Sequence, residues 1–88
     1  MGTRKNLKPI RAFIDVLRAH LPKIEQAARD GNANRLEYYR KETANYFSQA
    51  ETALARLHGQ DAAQTARSDY LSIKTAILHA LPRRPDDP

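Results

Sequence analysis

Between Leu7 and Ala28 the apolar residues stand at Leu7, Ile10, Ile14, Leu17, Leu21, Ile24 and Ala28, in alternating steps of three and four. At about 3.6 residues per turn that spacing gathers them onto one stripe of an α-helix, whereas a strand would divide them between its two faces. The stripe stays in phase across Pro22. A chain that turned at the proline would insert turn residues and lose the phase, so the spacing predicts one helix over about residues 7–29, kinked at Pro22. The kink has a cost. Proline has no N–H for the carbonyl of Arg18 and its ring crowds the preceding turn, ~3 kcal/mol in a helix interior. Pro22 directly follows the stripe residue Leu21 and therefore stands off the stripe, where it bends the helix around a core.

The same spacing returns twice. Asp30-Gly31-Asn32-Ala33-Asn34 reads as a turn, with Gly31 suited to the left-handed position that ends a helix. Asn34 is then the expected cap of a second helix, with Glu37 in the capping-box position. Its stripe reads Leu36, Tyr39, Thr43, Tyr46, Ala50, Ala53 and Leu57, widened on one side by Phe47 and Leu54, and His58-Gly59 closes it. Asp61, with Gln64 in the box position, is the expected cap of a third helix whose stripe is Ala63, Ala66, Tyr70, Ile73, Ile77 and Ala80. Leu81-Pro82 ends that helix, because the residue before proline is pushed out of helical geometry.

Helices over about 7–29, 35–58 and 62–81, followed by a mobile polar tail over 82–88, make residues 1–88 a single helical-bundle domain. Short connections between helices of similar length predict an all-α, antiparallel up-down-up three-helix bundle. Alanine fills many stripe positions and buries little area per residue, so a protein partner or a second copy of the chain is expected to complete the burial.

No chemistry is spelled out on this scaffold. The chain has no cysteine, three isolated glycines and three histidines without HxxxH or HExxH spacing, so a thiolate or histidine metal site and a glycine-rich phosphate loop are both missing. His20 and His79, near Tyr38 and Glu37, are the one polar cluster that the helix order suggests, and solvated histidines explain them as well. The expectation is a non-enzyme without cofactor or small-molecule substrate. Cysteine-free composition fits the cytoplasm. No apolar run approaches membrane-spanning length, so no membrane insertion is expected.

Two surfaces remain as candidates for binding. The formal net charge is +5 and the sequence pI about 9.9, a balance that favours anionic partners. Arg4, Lys5, Lys8, Arg11 and Arg18 collect in the first helix and its lead-in, interrupted by Asp15; they are the candidate phosphate contacts, although a solvated basic face explains them equally. The second surface is apolar. At 100° per residue Leu71 and Leu78, seven apart, form a ridge beside the third helix's stripe, separated from it by Arg67 and Lys74. Phe13 and Val16 widen the first helix's apolar face in a similar way. Leu71, Leu78, Lys74, Phe13 and Val16 are the candidate partner contacts, because a second apolar stripe on a bundle suits docking of another helix. The expected function is a small, soluble, non-catalytic protein-interaction or assembly module. The alternative is a basic nucleic-acid-binding accessory protein that meets phosphates through its first helix.

Overall fold

The computed structural model describes residues 7–57 and 61–82. They form α1 (Lys8–Asp30), α2 (Ala33–Ala55) and α3 (Asp61–Ala80), and no strand occurs among them. Arg4 and Lys5, the His58-Gly59 closure, the Asp61 side chain and the tail from residue 83 lie outside what is described.

Pro9 falls in the first turn of α1, where a missing N–H is no loss, and the Arg11 N–H closes that turn on the Leu7 carbonyl at 3.0 Å. α1 is helical through Pro22, and the proline itself is exposed. The helix ends at Gly31, whose φ of 67° is left-handed. From there the Gly31 N–H reaches the Ala28 carbonyl at 3.2 Å and the Asn32 N–H reaches Ala27 at 3.0 Å, a pair of bonds that satisfies two of the helix's last carbonyls.

The next helix starts earlier than the sequence suggests. Asn32, not Asn34, caps α2, its side-chain oxygen accepting from the Arg35 N–H at 3.1 Å. One asparagine therefore closes α1 with its backbone and opens α2 with its side chain, leaving almost no loop. The far end of α2 also differs, stopping at Ala55 rather than near 58. The Arg56 and Leu57 N–H groups reach back three residues, to Ala53 and Leu54, which tightens the chain and turns Leu57 into the core. In α3 the Leu81 N–H still reaches the Ile77 carbonyl at 2.9 Å.

α1 is the centre of the packing. Both other helices lie mainly against it, and α2 and α3 touch each other much less. Ile10, Ile14, Leu17 and Ile24 are 0% exposed, and Tyr70, Ile73 and Ile77 are buried from the α3 side. On α2 the buried stripe runs Leu36, Tyr39, Thr43, Phe47, Ala50, Leu54 and Leu57, while Tyr46 and Ala53, expected on it, are half-buried. A 3.6-residue turn allows a step of either three or four after Thr43. The Phe47 ring packs edge-on to Tyr70, centroids 6.3 Å apart, whereas burial of Tyr46 would oblige its hydroxyl to find a partner. Thr43 is buried without an orphan, because its hydroxyl donates to the Tyr39 carbonyl at 2.8 Å.

Side-chain pairs show how the helices run past one another. Along α1, Phe13 meets Tyr46, His20 meets Glu42 and Lys23 shares a cleft with Arg35 and Tyr38; contacts that advance on α1 retreat on α2. Arg11 meets Asp69, and Glu25 and Arg29 share a depression with Ala76 and His79. Among the described residues no helix is long and apolar enough to cross a membrane.

Candidate functional site

α3 turns Tyr70, Ile73 and Ile77 inward, and that rotation leaves Leu71 and Leu78 facing out, 52% and 53% exposed. Lys74, between them, is not a free surface cation. Its Nζ donates to Glu51 Oε2 at 2.6 Å and lies 5.3 Å from the Phe47 ring centre and 5.9 Å from that of Tyr70, so it straps α3 to α2 across two aromatic rings. The Tyr70 hydroxyl donates to the same carboxylate. These two hydrogen bonds, Lys74 first, hold the Glu51 carboxyl below the usual carboxylate range. Burial, and then the bond to Glu51, push the Tyr70 phenol up. Beside the strap a shallow depression of about 300 Å³ is lined by Glu51, Leu54, Ala55, Arg67, Tyr70 and Leu71. Leu71 thus forms one wall of a groove whose floor is the α2/α3 seam.

Phe13 and Val16 do not belong to that surface. Both are half-buried on α1, and the Phe13 ring packs against Tyr46 with centroids 6.3 Å apart. The contacts continue along the α1/α2 seam from Tyr46 to His20 at 5.8 Å, from His20 to Tyr39 at 5.8 Å, and from Tyr39 to Tyr38 at 5.6 Å. His20 is held within this row of rings. Its Nδ1 donates to the Val16 carbonyl at 2.8 Å and its Nε2 pairs with Glu42 Oε1. The Tyr38 hydroxyl donates to the other Glu42 oxygen at 2.6 Å. Glu42 is accordingly held below the usual carboxylate range, by the Tyr38 hydroxyl first and His20 second, and the Tyr38 phenol is raised by the same bond. His79 takes no part, lying beside Glu25, Ala28 and Arg29 near the end of α1. Of the cluster suggested by the sequence, His20 and His79 near Tyr38 and Glu37, only His20 and Tyr38 come together, and Glu42 is the carboxylate that joins them.

The basic stripe is only partly available. Arg11 is half-buried, with Nη1 2.8 Å from Asp69 Oδ2 on α3, and serves to join the two helices. Lys8 and Arg18 are exposed, the latter 3.9 Å from Asp15. Asp69, Glu42 and Glu51 were not singled out by sequence reasoning. Each pairs with a residue at least 19 positions away, and local spacing carries no signal of such a partner. Among the described residues no group of three or more histidines and carboxylates is placed to hold a metal ion. Compared with protein-family models, curated proteins and solved structures, the chain matches none.

Proposed function

We propose that this chain is a non-catalytic interaction module, an antiparallel up-down-up bundle with α1 bent at Pro22, whose outer α3 face receives an amphipathic helix from a partner protein. The opposed order of contacts on α1 and α2, and the parallel order on α1 and α3, support the topology. The docking reading rests on one observation: Leu71 and Leu78, one heptad apart and each about half exposed, stand on the same side of a helix whose own stripe is already buried.

The chemistry of the occupant follows from the charges beside the ridge. Asp69 is engaged by Arg11 and Glu51 by Lys74, so the groove next to Leu71 keeps Arg67 as its unpaired charge among the described residues. An apolar helix with an acidic rim complements that surface. A second copy of the chain would bring Arg67 and a net charge of +5 against the same. The alternative, phosphate contact through α1, has less support, because Arg11 is committed to Asp69.

The test is Leu71→Ser combined with Leu78→Ser, followed by light scattering, thermal unfolding and recovery of bound protein with and without nuclease. Retained helical content with loss of a nuclease-resistant protein partner is the expected result. A collapsed melting temperature with association unchanged would assign the ridge to the core and end the docking reading. Loss of association in the purified protein alone would assign the ridge to self-assembly instead.

A further inference from the structure

A separate cleft opens where the second half of α1 meets the start of α2. Pro22 and Lys23 form one wall, and Asn34, Arg35, Tyr38 and Tyr39 the other. Its volume, about 800 Å³, lies within the range of small-molecule sites. Among the described residues no carboxylate lines it. Of the carboxylates near it in the sequence, Glu25 lies beside Arg29 and His79 in the α1/α3 depression, Glu37 stands 3.6 Å from Arg40, Asp30 accepts from the Gln26 amide at 3.0 Å, and Glu42 is engaged by Tyr38 and His20. Lys23 and Arg35, exposed and contributed by different helices, form no ion pair among the described residues.

Tyr38 sets the cleft apart from an ordinary basic surface. It is the one exposed tyrosine or phenylalanine ring among the described residues, at 59%, yet it is held in place. Its hydroxyl is fixed by Glu42 and its edge by the Tyr39 ring, 5.6 Å away and inclined at 60°. Glu42 is itself fixed through His20 to the α1 backbone. The conformational entropy of ordering this ring is lost on folding rather than on binding. An ordered aromatic face beside two cations that form no ion pair among the described residues, Lys23 sharing only its field with Glu42, is the chemistry that takes a planar ring and a phosphate together. The ring stacks, and the guanidinium fork and the ammonium meet the phosphate oxygens.

We propose that this cleft binds a nucleotide unit, with the base on Tyr38 and the phosphate between Lys23 and Arg35. The unit has two sources, a free mononucleotide or one residue of a single strand. The site is distinct from the α3 ridge, shares no residue with it, and stands or falls independently of the docking reading.

The experiment titrates the full chain with adenosine monophosphate, adenosine, inorganic phosphate and a short oligothymidylate, following backbone amide shifts. Saturable shifts centred on Lys23, Arg35 and Tyr38 are expected, with adenosine and inorganic phosphate each at least ~10-fold weaker than the nucleotide, because each supplies only half of the recognition. Tyr38→Ala should weaken nucleotide binding by ~5-fold or more, the range of a single base–aromatic stack, while Tyr38→Phe retains most of it. Lys23→Gln with Arg35→Gln, exposed changes that leave the core alone, should remove the phosphate contribution. Comparable affinity for the mononucleotide and the oligonucleotide makes the free nucleotide the source; binding of the oligonucleotide alone makes it a strand. The proposal is overturned if neither produces saturable shifts at the cleft, if inorganic phosphate binds as tightly as the nucleotide, or if Tyr38→Ala leaves the affinity unchanged. Leu71→Ser with Leu78→Ser should leave nucleotide binding as it was.

Discussion

Ile77 and Leu78 are neighbours in the chain and opposites in the fold, which makes truncation of each to alanine a direct test of how α3 is rotated. Ile77 is 0% exposed and belongs to the continuous core. Ile77→Ala removes buried methyl and methylene groups and leaves a cavity, a change that costs about 2–5 kcal/mol. A domain of this size is stable by only ~4–13 kcal/mol. At roughly 4–8 °C per kcal/mol, the melting temperature should fall by about 8–40 °C. Leu78 has the same number of carbons but is 53% exposed. Full burial of leucine contributes about 1.5–3 kcal/mol, so slightly less than half of that is at stake, roughly 1 kcal/mol. The higher helix propensity of alanine offsets a few tenths of it. Leu78→Ala should therefore shift the melting temperature by less than ~5 °C. Circular dichroism melts of both variants decide the matter. Equal losses would mean that Leu78 is packed like Ile77, the α3 rotation would be wrong, and the ridge would not exist.

Gly31→Ala should cost about 1–2 kcal/mol by chemical denaturation, since nothing lies within 4 Å of the added methyl and only the left-handed φ of 67° resists it; Gly31→Asn should cost less, and equal stability of all three proteins would refute the argument. Asn32→Ala should lose roughly 1 kcal/mol through the α2 cap, while Asn34→Ala, inside the helix, should not. Glu42 and Glu51 are held below their ordinary value of about 4.5, so their contribution is present above that pH and is lost as pH falls through their folded values. The urea midpoint should accordingly decline on acidification less steeply in Glu51→Gln than in the parent, and an unchanged slope would exclude the Lys74–Glu51–Tyr70 linkage as its source. Tyr70 is raised above its ordinary value of 10.0, so its contribution is intact below that pH and is lost above it. Phenolate absorbance should contain a phenol that ionises above the ordinary value of 10.0 and that is missing from Tyr70→Phe; no difference between the two titrations would refute the Tyr70–Glu51 contact as its cause.

The helices themselves were legible because their signal is local. Steps of three and four place residues on one face whatever surrounds them, and the stripes predicted for α1 and α3 are largely the ones buried, apart from the half-exposed Leu7, Leu21, Ala28 and Ala80, with Ala27 buried in place of Ala28. The left-handed end of α1 was legible for the same reason, because glycine after a helical pattern is a statement about one residue's φ. Two details were not decided by periodicity. The choice between Tyr46 and Phe47 turns on a difference of one residue that a 3.6 period does not resolve; the Tyr70 ring opposite settles it. The choice of Asn32 over Asn34 as cap depends on where α1 ends, and so on bonds from Gly31 and Asn32 back to Ala28 and Ala27.

The partners of the charged residues could not be read from the sequence at all. Arg11 looked like a member of a basic stripe and Lys74 like a boundary cation, yet one is joined to Asp69, 58 positions away, and the other to Glu51, 23 away. Such pairs follow from the lateral register of two helices, and that register is set by how the ridges of one helix fill the grooves of the next. The cleft at Tyr38 is tertiary in the same sense: Lys23 and Arg35 are 12 residues apart, and only the tight Gly31-Asn32 turn folds them onto one wall each of a shared space. The sequence determined the face that each helix would hide, to within one residue, because hydrophobic periodicity acts within a helix. The tertiary structure decided which charges were left over to bind something, because that depends on who stands opposite.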